Sequence, residues 1–80
     1  MYLSVENISY SYGNIRALRD VSFSANLGEV TGIIGANGAG KTTAMRIITR
    51  YLVPQKGDVF IDGRSIRQWR NEDFPVSYIP

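Results

Sequence analysis

No cysteine and no histidine occurs among the 80 residues. Their absence excludes a disulfide framework, a Cys or Cys/His zinc site, a thiol nucleophile and a histidine-based triad. Long apolar runs are missing too: nothing approaches the roughly 20 residues that a membrane span needs, and no signal-peptide core opens the chain. Neither sign of charge dominates. Nine Lys+Arg against seven Asp+Glu leave a net charge of +2, too little and too dispersed for a nucleic-acid stripe or a membrane-binding patch. A soluble, cytoplasmic protein without a nucleic-acid partner is therefore expected. What is present is a 44% share of hydrophobic residues, enough to close one modest core, so a disordered chain is not expected.

Residues Leu3 to Ile8 carry Leu3, Val5 and Ile8 among polar neighbours, and Val21, Phe23 and Ala25 alternate with Ser22 and Ser24. Both patterns predict half-buried strands, with a turn over Ser9–Asn14, so the first thirty residues read as antiparallel β structure. Val30–Ile34 is almost free of polar residues, the mark of a strand buried on both faces of a parallel sheet. Beyond it, Ala44, Ile47, Ile48, Tyr51 and Leu52 recur at helical spacing, extended by Met45, with Arg46, Thr49 and Arg50 on the outer side. Arg50 and Pro54 read as stop signals. Asp58–Ile61 predicts a further strand closed by Asp62-Gly63, Arg67–Asp73 a weak helix anchored by Trp69, and Val76–Ile79 the start of another strand. Asp58 and Asp62 read as turn formers, and Arg16, Arg19, Arg46 and Arg50 as solvated surface charges.

Between the apolar strand and the helix lies Gly35-Ala36-Asn37-Gly38-Ala39-Gly40-Lys41-Thr42-Thr43. Gly35, Gly40, Lys41 and Thr42 match G-x-x-x-x-G-K-[ST]. Gly35, Gly38 and Gly40 let successive backbone N–H groups turn toward phosphate oxygens, and a helix starting near Lys41 adds its N-terminal donors and partial positive charge. Lys41 supplies a full charge toward the β- and γ-phosphates and is the candidate catalytic residue. The Thr42 hydroxyl suits Mg²⁺, and Thr43 suits the α-phosphate. A ligand-free glycine turn is the bland alternative, but a chance match in so short a chain has a probability on the order of a few in a thousand, and the strand-loop-helix context lowers it further.

Thirty residues of β structure before such a loop are unusual for small kinases and GTPases. The stretches "YG…ALRDVSF", "GEVTGIIGANGAGKTT" and "GDVFIDG", in this order and spacing, resemble the ATP-binding cassette (ABC) ATPases over essentially the whole chain. The resemblance implies an α/β P-loop NTPase fold, here a partial cassette core with an N-terminal antiparallel β subdomain, and implies that ATP and Mg²⁺ are its ligands. It also implies an adenine-stacking aromatic at Tyr12, before Gly13, with Tyr10 as the rival platform.

The family pattern further includes a Q-loop glutamine, an LSGGQ signature, a Walker B aspartate with its catalytic glutamate, and a switch histidine. None is in these 80 residues: Gln55 and Gln68 stand outside a Q-loop context, and no S-G-G occurs. Residues 1–80 are accordingly expected to be the N-terminal part of one cassette, ending just before the Q-loop at Pro80, marginally stable and unable to hydrolyse ATP alone. The resemblance implies that the full-length protein is the ATP-hydrolysing subunit of an ABC transporter. Such a subunit pairs with a second ATPase subunit and lies at the inner face of the membrane on permease subunits or domains. A soluble ABC-type ATPase of translation or chromosome maintenance, and an inactive truncated remnant, stay open as alternatives.

Overall fold

A computed structural model describes residues 1–26 and 38–76, of which 38–41 by their backbone alone. Four strands, one helix and a short 3-10 turn are found there: β1 (Tyr2–Tyr12), β2 (Ile15–Asn26), α1 (Gly38–Ile48), β3 (Lys56–Ile61), β4 (Arg64–Ser65) and Asn71–Asp73. The strands form one antiparallel sheet in the order β2-β1-β3-β4. The expected antiparallel start of the chain is therefore present. Its turn is much tighter than the Ser/Gly/Asn content suggests, because Ser9–Tyr12 continue β1 and only Gly13 and Asn14 turn. The candidate strands Val30–Ile34 and Val76–Ile79 lie outside the described residues, except Val76, which is irregular.

The core joins sheet and helix: Leu3, Val5 and Ile8 of β1, Leu18 of β2, Val59 and Ile61 of β3 and Ala44, Ile47 and Ile48 of α1 are buried in one cluster with Ile66. Simple alternation fails between Val5 and Ile8, both buried although three positions apart. A bulge explains it. Val5 pairs with Phe23 and Ile8 with Val21, while on the other edge Glu6 pairs with Asp58 and Ser9 with Lys56, so β1 holds one extra residue against both neighbours. Asn7 takes it up at φ 53°, facing Asp20 at φ 47°. Side chains bond the displaced backbone: Asn7 N donates to Ser22 Oγ and Asp20 N to Ser9 Oγ, both at 2.9 Å, and Asn7 Nδ2 donates to Asp20 Oδ1 at 2.8 Å. Gly57 (φ 84°) completes the node, because a Cβ there would overlap the carbonyl oxygens of Glu6 and Asn7.

Helix α1 is helical from Gly38, earlier than the loop pattern predicts, and ends at Ile48, one turn before the predicted apolar face does. Arg50 is the reason. It sits at φ 68°; Arg50 N donates to Ile47 O at 3.1 Å and Tyr51 N to Arg46 O at 2.7 Å, which is the Schellman closure of a helix with arginine in the left-handed position that glycine usually fills. Tyr51 is consequently 75% exposed rather than part of the core, while Met45 and Leu52 pack partly buried against it.

Arg50 is also not the solvated charge that its position in the pattern suggests. Its guanidinium donates to Trp69 O at 2.7 Å, Ile66 O at 3.1 Å and Asn71 Oδ1 at 3.0 Å, and lies 3.9 Å from the centroid of Phe74. This clamp shapes residues 66–74, where the sequence predicts a weak helix and only the Asn71–Asp73 turn is helical. Trp69 packs partly buried against the core, its ring edge-on to Phe74, with Nε1 donating to Arg64 O at 3.2 Å. Asp62 is a turn former as read, at φ 51° with Oδ1 accepting from Tyr2 N. Asp58 is not: it lies within β3, accepts from Ser65 Oγ at 2.7 Å and pairs with Arg67 at 3.6 Å.

Candidate functional site

Of the candidate loop, Gly35, Ala36 and Asn37 lie outside the described residues; Gly38, Ala39, Gly40 and Lys41 form the first turn of α1. The first turn of a helix leaves N–H groups without intrahelical acceptors, so the backbone of this segment offers the donors and the partial positive charge that an anion needs. Thr42 and Thr43 follow directly, Thr42 half-buried and Thr43 only 2% exposed.

The strand end of the site meets the helix here. Tyr12 closes β1, and its hydroxyl shares a 3.2 Å hydrogen bond with the Thr43 hydroxyl, joining the two residues that the sequence reading gives to the adenine and the α-phosphate of one ligand. Tyr12 stays 40% exposed. Tyr10 is half-buried against the core and meets Tyr12 edge-on at 5.0 Å between centroids, which gives it a supporting place rather than an open face. The bond to Thr43 lowers the pKa of Tyr12 below the ordinary tyrosine value; burial opposes it in part, and the Arg46 guanidinium lowers it a little further.

One contributor escaped sequence reasoning. Gln55 pairs by its side chain with the backbone of Ser11, next to Tyr12; its partner is 44 positions away, and no local pattern announces it. Among the described residues, no three His, Cys, Asp or Glu side chains come together as a metal site, and no helix is long and apolar enough to cross a membrane.

The ABC transporter family pattern matches residues 18–80, most of the chain. The chain belongs to the ABC transporter ATP-binding family. An uncharacterised ABC transporter ATP-binding protein of Methanocaldococcus jannaschii is 41% identical over 71 residues, covering 89% of this chain and 24% of the relative. A ribose import ATP-binding protein of Rhizobium etli is 42% identical over 65 residues, or 81% of this chain and 13% of the relative. The chain thus spans a quarter or less of the length of these curated relatives. The crystal structure of an ATP-binding cassette of an ABC transporter in its ADP conformation superposes with a TM-score of 0.70 at 43% identity, over 82% of this chain and 26% of the other. A nucleotide-free cassette gives 0.69 at the same identity. The antiparallel sheet and helix of this ABC chain are therefore the corresponding portion of a cassette fold, as the motif order implies.

Proposed function

We propose that this ABC chain binds ATP with Mg²⁺ and supplies the phosphate-gripping and base-stacking half of a nucleotide site. In the whole protein the site would couple ATP hydrolysis to transmembrane transport. The observation that supports this best is the 3.2 Å contact between Tyr12 and Thr43. It brings an exposed aromatic ring to the start of the helix that carries the phosphate-loop residues.

Tyr12 stacks the adenine. The backbone N–H groups of Gly35–Thr43 hold the phosphates, Lys41 neutralises charge on the β- and γ-phosphates, and Thr43 donates to the α-phosphate. Thr42 is the one protein ligand for Mg²⁺ in this segment. A half-buried hydroxyl in the first turns of a helix fits that role, since Mg²⁺ takes hard oxygen donors and draws its other ligands from phosphate and water. When bound, the ion would offset phosphate charge.

The 80 residues contain no histidine and no S-G-G, and the groups that would orient water are absent from them. The chain alone therefore binds without turnover. In the whole protein, the partners are a second ATPase subunit, which completes the site, and permease subunits or domains that hold the pair at the membrane.

Calorimetric titration of MgATP into the chain and into Lys41→Ala tests the reading. Affinity should fall clearly in the variant; equal affinities would overturn the proposal. Phosphate release by the 80 residues alone should stay at the buffer rate.

A further inference from the structure

Gln55 makes two side-chain bonds with one residue: Nε2 donates to Ser11 O at 3.0 Å, and Oε1 accepts from Ser11 N at 3.1 Å. This two-way exchange is what a residue of an adjacent antiparallel strand makes with its partner. It occurs where no such residue is available. β3 starts at Lys56, Gln55 N already donates to Ser9 O at 3.0 Å, and the preceding residue is Pro54, which has no N–H to give. The amide of Gln55 thus stands in for the missing strand and extends the pairing of β1 past the end of β3.

The extension matters because the pairing on the opposite side is interrupted just before this strand end. The β1–β2 register slips between Ile8 and Tyr10 and again between Tyr10 and Ser11, before Ser11 and Tyr12 pair with Arg16 and Ile15 at the hairpin turn. That side ties the strand end to the hairpin, and the Gln55 amide ties it to the β3 side of the sheet. We infer that Gln55 is a positioning residue for the Tyr12 platform, holding Ser11 so that the ring is set for a purine before nucleotide arrives. The inference rests on the reading of Tyr12 as the base-stacking residue. Gln55 need not touch the ligand; it spares Tyr12 the cost of being ordered on binding.

The test compares ATP with inorganic tripolyphosphate, each with Mg²⁺, on the full chain and on Gln55→Leu, Tyr12→Ala and the double variant. Gln55→Leu should weaken ATP by about two- to tenfold, the range that loss of ring stacking spans. Tripolyphosphate affinity should be unchanged, and Gln55→Leu should add nothing in the Tyr12→Ala background. The Ser11 amide should also exchange with solvent faster in Gln55→Leu.

Unchanged ATP affinity in Gln55→Leu alongside a loss in Tyr12→Ala overturns the inference and leaves the role of Tyr12 intact. Equal weakening of ATP and tripolyphosphate overturns it as well, because that outcome marks general destabilisation. If Tyr12→Ala itself leaves the ratio of the two ligands unchanged, the stacking role of Tyr12 fails, and the positioning role of Gln55 with it.

Discussion

The hydroxyls of Tyr12 and Thr43 lie 3.2 Å apart and tie the end of a strand to the first turns of a helix 31 residues later. The bond lies between the proposed base platform and the proposed α-phosphate ligand. With Tyr12 donating, the Thr43 hydroxyl keeps its own proton for a phosphate oxygen and can serve both partners at once.

That relationship predicts a titration. Tyr12 should ionise below the ~10 of a free tyrosine, because the bond to Thr43 and the nearby Arg46 favour the phenolate. A depressed acid pKa stabilises the fold at high pH: the contribution is complete above the unfolded value and lost as pH falls through the folded one. The phenolate absorbance that disappears in Tyr12→Phe should have a midpoint that rises in Thr43→Val. A midpoint unmoved by Thr43→Val would refute the coupling.

Two glycines with similar angles should respond differently to alanine. Gly57 (φ 84°) and Gly63 (φ 80°) both hold left-handed backbone, but a Cβ at Gly63 meets nothing within 4 Å, whereas at Gly57 it overlaps Glu6 and Asn7. Gly63→Ala should cost about 1 kcal/mol of strain. Gly57→Ala should cost clearly more, seen as a lower urea midpoint, because the β1 bulge must move.

Arg50 combines an unfavourable backbone with a favourable side chain. Arg50→Ala loses the clamp and keeps the left-handed strain, for an expected loss of about 1–3 kcal/mol. Arg50→Gly loses the same contacts but relaxes the backbone, and should be about 1 kcal/mol more stable than Arg50→Ala. Arg50→Lys should not restore the wild-type midpoint, since an ammonium cannot reach Ile66 O, Trp69 O and Asn71 in a planar fork while stacking on Phe74. Equal stability of the alanine and glycine variants would contradict the strained geometry at this position.

The early end of α1 separates Ile47 from Tyr51. Ile47→Ala, at a site 1% exposed, should cost about 2–5 kcal/mol. Tyr51→Ala, at 75% exposure, should stay within about 0.5 kcal/mol. Thermal melts of the two variants read this contrast directly.

Much of this architecture was legible from spacing alone. Leu3, Val5 and Ile8 mark β1, Val59 and Ile61 mark β3, Asp62-Gly63 marks the turn, and the glycine-rich segment leads into a helix. Three features were not, each for a physical reason. The bulge at Asn7 depends on close approach by Gly57, fifty positions on, which leaves no periodicity. Tyr51 fits the helical repeat, but Arg50 ends the helix from outside it, through carbonyl groups of residues 66 and 69. Likewise, Thr43 and Gln55 act on the Tyr12 region across 31 and 44 positions, and residue type alone does not announce such pairing. Of the candidate site, residue types and order were legible; the contact that unites them was not.

The central place of β1 bears on how the chain assembles as it is made. Its hairpin with β2 closes over Gly13 and Asn14, a short loop that forms early and at small entropic cost. Its partnership with β3 joins Leu3 to Ile61 and must wait for nearly sixty residues of synthesis. In that interval β1 presents an unpaired edge with Leu3 and Val5 uncovered, open to the same strand of another nascent chain. Arrival of Lys56–Ile61 closes that window.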